Sequence, residues 1–196
     1  MITANVPDGH VWLRITRPQY RDPFDPSFAQ RAGGRWNPPE SWPTLYLNED
    51  LATVHSQVRH MFLGRGIEPD DLADDAPIRL AACTLPGRQV CADAVHDAGL
   101  VALGLPATYP LGVGGAAIER SVTQGIGVAA HSEGLRGVWC RSAAGVGREL
   151  AWFPAARSTA RAVWPGPKPF GDWRSAVTIG EVAEPHGGEL GGLGRC

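Results

Sequence analysis

Apolar and polar positions alternate along Val11–Thr16 (VWLRIT) closely enough to predict a strand, with Arg14 set among apolar neighbours. Thr44-Leu45-Tyr46-Leu47 predicts a second, short buried strand bounded by Pro43 and by Asn48-Glu49-Asp50. Tyr46, between two leucines, turns its ring to the opposite face or needs a partner for its hydroxyl. Asp50 caps a predicted helix running to about Leu63 and ended by Gly64, in which Leu51, Val54, Val58, Met61 and Phe62 recur at helical spacing. At about 100° per residue Gln57 falls at the rim of that stripe beside Met61, with Arg59 and His60 further round.

Further along, Ile78–Leu85 and Gln89–Ala92 predict two strands joined as a hairpin through Pro86-Gly87-Arg88. Asp93–Leu105 reads equally as a short helix or a packed loop. Ile118, Val122, Ile126 and Ala129 keep helical spacing within Ala116–Ala130, weakened by Gly125 and Gly127. Gly137–Ser142 predicts a strand after a tight turn, and Glu149–Phe153 its antiparallel partner. Pro165-Gly166-Pro167-Lys168-Pro169 marks the end of the core. The expected organisation is one domain over residues 1–164 and a peripheral Pro/Gly-rich tail over 165–196, with one last strand within Trp173–Val182 and disorder from Gly187.

Composition narrows the class. A chain of 196 residues with 43% hydrophobic and 19% charged residues suits a single globular domain able to bury a core. No apolar run approaches the roughly 20 residues of a membrane-spanning helix, and no basic-then-apolar leader opens the chain, so a soluble, cytoplasmic protein is expected. The formal net charge of −2 gives no long-range attraction to nucleic acid. Cys83, Cys91, Cys140 and Cys196 form no C-x-x-C pair and no zinc-ligand spacing, which predicts reduced thiols and no metal.

Chemistry concentrates at Gly33-Gly34-Arg35-Trp36-Asn37-Pro38-Pro39, where a fixed cation, an aromatic plane and an amide sit between turn formers. That set suits an anionic, planar ligand. Gly112-Val113-Gly114-Gly115 lacks the full dinucleotide fingerprint, and Ser142 lacks the surroundings of a hydrolase nucleophile.

The ordered set of Arg14, G-G-R-W-N-P-P, Tyr46 eleven residues after Arg35, a helix carrying Gln57, and a late strand ending in Ser142 resembles the RES domain family, named for its Arg, Glu and Ser. The resemblance covers about Val11 to Pro154. It implies an α+β single domain, with an ADP-ribosyltransferase-like split, strongly bent antiparallel β-sheet and flanking helices. It also implies a bacterial toxin that consumes NAD as its substrate, without a metal, by phosphorolysis, by hydrolysis, or by transfer of ADP-ribose to a protein. Arg14 and Arg35 would hold the phosphates, with Trp36 and Asn37 beside them. Tyr46 would border the nicotinamide, and Ser142 would sit near the ribose or nicotinamide. The implied partner is an antitoxin, typically a helix-turn-helix protein of the Xre type, with phosphate as a possible co-substrate and no direct nucleic acid contact.

The family's acidic position falls on Gln57, which keeps the size and one acceptor oxygen but not the charge. Losing one well-placed stabiliser of transition-state charge costs on the order of a hundred- to a thousandfold in rate. Another carboxylate, Glu149 or Glu49, would supply the charge; or phosphate would assist as an anionic nucleophile; or the protein would bind NAD and turn it over poorly. A glutamine here is also what a mutation taming a toxic protein would leave. A separate class of reading, a structural or interaction domain, has Arg35 and Trp36 merely stacked in a turn.

Overall fold

The computed structural model describes residues 1–155 and 159–183. In chain order the strands and α-helices are β1 (Thr3–Val6), β2 (Trp12–Thr16), α1 (Ser27–Ala32), β3 (Leu45–Asn48), α2 (Leu51–Met61), β4 (Arg79–Thr84), β5 (Gln89–Ala94), α3 (Asp97–Ala102), α4 (Arg120–Ser132), β6 (Gly137–Arg141), β7 (Arg148–Trp152), β8 (Arg161–Ala162), β9 (Lys168–Pro169) and α5 (Ile179–Ala183). The strands form one sheet in the order β1-β5-β6-β7-β3-β2-β4-β8, with β9 also on β4. Every pairing is antiparallel except β5 with β6. The result is the expected mixed α+β arrangement.

The predicted hairpin between β4 and β5 does not form. β4 pairs with β2, β8 and β9, whereas β5 lies between β1 and β6. The two strands stand five places apart in the sheet, about 24 Å if it were flat. The link from Thr84 to Gln89 reaches at most about 18 Å. The sheet therefore curls until its halves approach, and the Pro-Gly link crosses its open side; a link this short has the signature of a hairpin without being one.

Curling gives the sheet an inside. Val6, Trp12, Leu45, Leu47, Cys83, Cys91, Trp139, Leu150 and Trp152, drawn from strands of both halves, form one buried cluster. Strand alternation sends the intervening residues outward. On one half, Leu13, Leu80 and Ala82 meet Leu51, Val54 and Val58 of α2. On the other, Ala92, Val138, Cys140 and Ala151 meet Leu100 of α3 and Ala130 of α4. The Asp50 carboxylate caps α2 by accepting the Thr53 N–H at 2.7 Å, as its position predicts. Met61, assigned by spacing to the apolar stripe, is instead 42% exposed.

Between the two covered halves the sheet is split. β2 and β3 share a single register pair, Leu13 with Asn48, whereas β2 and β4 share five and β3 and β7 four. Arg14 is the residue after that pair.

Residues expected to form a peripheral tail contribute to the core. Trp164, Phe170, Trp173, Ala176 and Val182 join the α2 cluster, and Phe170 and Trp173 pack edge to face at 4.9 Å. No strand forms in Trp173–Val182; Phe170 lies on a 3-10 turn at Phe170–Asp172 with Trp173 just after it, and Val182 lies on α5. Prolines and glycines set the composition here, but a few aromatic residues decide the packing. The stretch expected to be disordered, from Gly187, lies outside the described residues.

Burial pushes the thiols of Cys83, Cys91 and Cys140 up to about 12, and none is in a disulfide, so they act as small apolar residues. Among the described residues no helix is long and apolar enough to cross a membrane.

Candidate functional site

The G-G-R-W-N-P-P turn is tied from three directions. From α4, Thr123 Oγ1 donates to the Arg35 carbonyl at 2.7 Å, and Gln124 Nε2 donates to those of Gly34 at 2.9 Å and Asn37 at 3.3 Å. From below, the Tyr46 hydroxyl accepts the Trp36 N–H at 2.9 Å and donates to Asn37 Oδ1 at 2.8 Å. On the α1 side, Asn37 Nδ2 donates to the Ala29 carbonyl at 2.7 Å. Gly34 is needed for contact with Tyr46, because a Cβ there would overlap the phenol.

These ties sort the turn's side chains. Trp36, 1% exposed, belongs to the α4 cluster, and Asn37 is fully buried as a brace. Neither lines the cleft, so their expected ligand contacts do not carry over. Arg35 points the other way, into the cleft, and is therefore not stacked on Trp36. Tyr46 also lines the cleft, but its hydroxyl is committed to the turn. Tyr46→Phe leaves the Trp36 N–H and Asn37 Oδ1 without a partner, at roughly 1–3 kcal/mol for each buried group. A urea titration of Tyr46→Phe is expected to register this as a lower midpoint.

The cleft has two communicating lobes of about 490 and 630 Å³, whose walls share Arg14, Phe28, Gln57, His60 and Ala143. The first lobe adds Ile15, Tyr20 and Met61 together with Asp22, Asp25 and Arg31. The second adds Arg35, Tyr46, Tyr109, Arg120 and Glu149. Residues from β2, α1, β3, α2, α4 and β7 thus meet where the sheet splits. Their combined size suits a ligand of two parts.

Two arginines dominate the site. Neither Arg14 nor Arg35 makes an ion pair among the described residues, and buried Arg14 Nη1 has no hydrogen-bond partner. Burial pulls the Arg14 pKa below its usual value, against Cys83, Asp22 and Asp25. Burial also acts on Arg35, but Cys140, Tyr109 and Glu149 outweigh it and raise its pKa. Among the described residues the Arg35 side chain makes one hydrogen bond, to the Tyr109 hydroxyl at 3.4 Å. Burial drives the phenols of Tyr46 and Tyr109 far upward, so both stay neutral.

Ser142, 1% exposed, stays out of both lobes. Its Oγ donates to Glu149 Oε1 at 2.5 Å, and the Ala143 N–H reaches the same oxygen at 3.1 Å. The β6–β7 turn that holds these groups is tied to α2, where Ser56 Oγ donates to the Ala144 carbonyl at 2.9 Å. Glu149 lies opposite Asn48 on β3, which puts it on the same face as Tyr46. Glu49 is elsewhere: it is ion-paired with Arg148 and lines neither lobe.

His60 lines both lobes one helical turn beyond Gln57, and Tyr109 lines the second. Neither stood out in the sequence. The i, i+3 spacing from Gln57 was the available signal for His60; Tyr109, in an irregular segment, had none. Among the described residues, no three His, Cys, Asp or Glu side chains cluster as a metal site would require.

The sequence model of the RES domain matches residues 11–171. A chain of the crystal structure of the M. tuberculosis MbcT–MbcA toxin–antitoxin complex is similar in fold, with a TM-score of 0.55 and 21% identity, covering 78% of this chain and 81% of that one. No curated protein sequence matches at a significant level.

Proposed function

The chain belongs to the RES domain family, and we propose that its cleft binds NAD and cleaves the bond between nicotinamide and ribose. The observation that carries this reading is the pair Arg14 and Arg35, two half-buried arginines on one cleft, neither in an ion pair among the described residues. A cation drawn out of water without a counterion is costly, and a pyrophosphate offers both a counter-charge and oxygen acceptors matched to the guanidinium fork.

Cleavage releases neutral nicotinamide from a cationic pyridinium, so the leaving group needs no general acid. The site must instead hold the dinucleotide still and face the developing oxocarbenium ion with negative charge. The arginines serve the first need, and Tyr46 and Tyr109 give the second lobe flat apolar walls for the nicotinamide. Water or phosphate would take the ribose. Transfer of ADP-ribose to a protein side chain is the second reading; it uses the same cleft and differs only in the acceptor.

In a cell this activity would deplete cytoplasmic NAD, which makes the protein a toxin needing a cognate antitoxin. The structural relative comes from a toxin–antitoxin complex, which supports a partner of that kind. A helix-turn-helix antitoxin of the Xre type would seat over the cleft.

NAD should raise the melting temperature in a concentration-dependent way, because a ligand that binds only the folded state adds roughly 2.7 kcal/mol at a hundred times its Kd. Nicotinamide alone, which carries no phosphate, should give a far smaller rise. Equal rises with both would remove the arginines from the reading, and no rise with NAD would end it.

A further inference from the structure

Gln57 lines both lobes and brings an amide to the position where the family resemblance expects a carboxylate, yet the second lobe does hold a carboxylate on its far strand. We propose that Glu149, presented by Ser142 and the Ala143 N–H, supplies the negative charge that faces the ribose cation, in place of a glutamate on α2. This rests on the NAD-cleavage reading and names the residue that would carry its chemistry.

Three observations support the assignment. First, Glu149 lines the second lobe together with Arg35, Tyr46 and Gln57, while Glu49 is turned away and neutralised by Arg148. Second, the carboxylate is held in one orientation. Oε1 takes both the Ser142 hydroxyl and the Ala143 N–H, whereas Oε2 accepts no hydrogen bond and is not among the sealed, unpartnered polar atoms of the described residues. One oxygen is fixed by the protein, and the other is free of hydrogen bonds from the described residues on a side chain that lines the lobe. Third, Glu149 is near enough to raise the Arg35 pKa but makes no ion pair with it. Anion and cation thus flank the lobe without cancelling, as a substrate positive at its ribose and negative at its phosphates requires.

In the step itself the C1′–N bond breaks and its electron pair goes to the nicotinamide nitrogen, which neutralises the pyridinium. The positive charge passes to C1′ and the ring oxygen, facing Glu149 Oε2. An oxygen nucleophile, water or phosphate, then forms the new bond to C1′; water gives its extra proton to solvent. Glu149 is neither consumed nor protonated. Ser142 acts through Glu149 and is a positioning residue.

Glu149→Gln is the direct test, since its amide oxygen can still accept from Ser142 and Ala143 while the charge is lost. Nicotinamide release from saturating NAD is expected to fall about a hundred- to a thousandfold, with the NAD-induced rise in melting temperature kept. Adding Gln57→Glu to that variant puts a carboxylate on the opposite wall and is expected to recover part of the loss. Ser142→Ala should lower kcat while leaving KM close to its original value. If Glu149→Gln and Glu149→Asp both release nicotinamide at the unmodified rate, Glu149 has no such role. If the unmodified protein binds NAD but releases no nicotinamide, the cleavage reading fails and this assignment fails with it.

Discussion

Replacing Arg14 and Arg35 together with alanine is expected to reduce nicotinamide release to the uncatalysed background and to abolish stabilisation by NAD. A hydrogen bond to a charged group contributes about 1.5–3 kcal/mol, or about ten- to a hundredfold per arginine, and the two act on one pyrophosphate. The same variant should be no less stable than the parent when NAD is absent. Among the described residues Arg14 Nη1 is buried without a hydrogen-bond partner, so losing Arg14 relieves a desolvation cost that offsets the loss of the weak Arg35–Tyr109 contact. Calorimetric titration with NAD and a urea melt of the same preparation separate the two effects. Unchanged NAD affinity in the double variant would mean that the phosphates lie elsewhere.

Gly127→Ala is expected to cause the largest loss of stability among single-methyl substitutions in α4. Alanine in a helix is ordinarily favoured over glycine by about 1 kcal/mol. Here the added Cβ would strike the Trp36 carbonyl oxygen and stand 2.7 Å from its carbon, and backbone held by Thr123, Gln124 and Tyr46 has nowhere to go. Overpacking of this kind costs typically 1–3 kcal/mol, occasionally more. The displaced turn carries Arg35, so NAD binding should weaken as well. Gly125→Ala provides the opposite sign on the same helix. Nothing lies within 4 Å of its Cβ, and a modest gain in stability is expected. Urea midpoints that move in the same direction for both would contradict the close contact between helix and turn.

That contact also marks what could be read from the chain beforehand. The glycines of α4 look like helix weaknesses in the sequence, and only the packing shows that Gly127 is where the helix lies directly on the Trp36 backbone. Strands β2, β3, β6 and β7 and the Asp50-capped helix were legible because each follows from local pattern: alternation, a cap and an apolar stripe. The separation of β4 from β5 was not, because strand partners are chosen by the curvature of the whole sheet, while a four-residue link carries only local information. The burial of Phe170, Trp173 and Val182 was masked in the same way by the prolines and glycines around them.

Within the cleft, Arg14, Arg35, Tyr46 and Gln57 come together as the motif implies. Trp36 and Asn37 sit in the same motif but serve the core, since neighbours in a tight turn point in opposing directions. Ser142 is tied to the second lobe through its hydrogen bond to Glu149, a relation between a strand end and the start of its antiparallel partner that no spacing rule singles out.

The most direct measurement is nicotinamide release from NAD by the purified protein, beside an Arg35→Ala control at equal concentration, with and without phosphate. The expected result is catalytic release by the unmodified protein at least tenfold above the control, taking one charge-assisted phosphate contact as the minimum loss. Release no faster than that of the control under both conditions would contradict the assignment of this cleft to NAD cleavage.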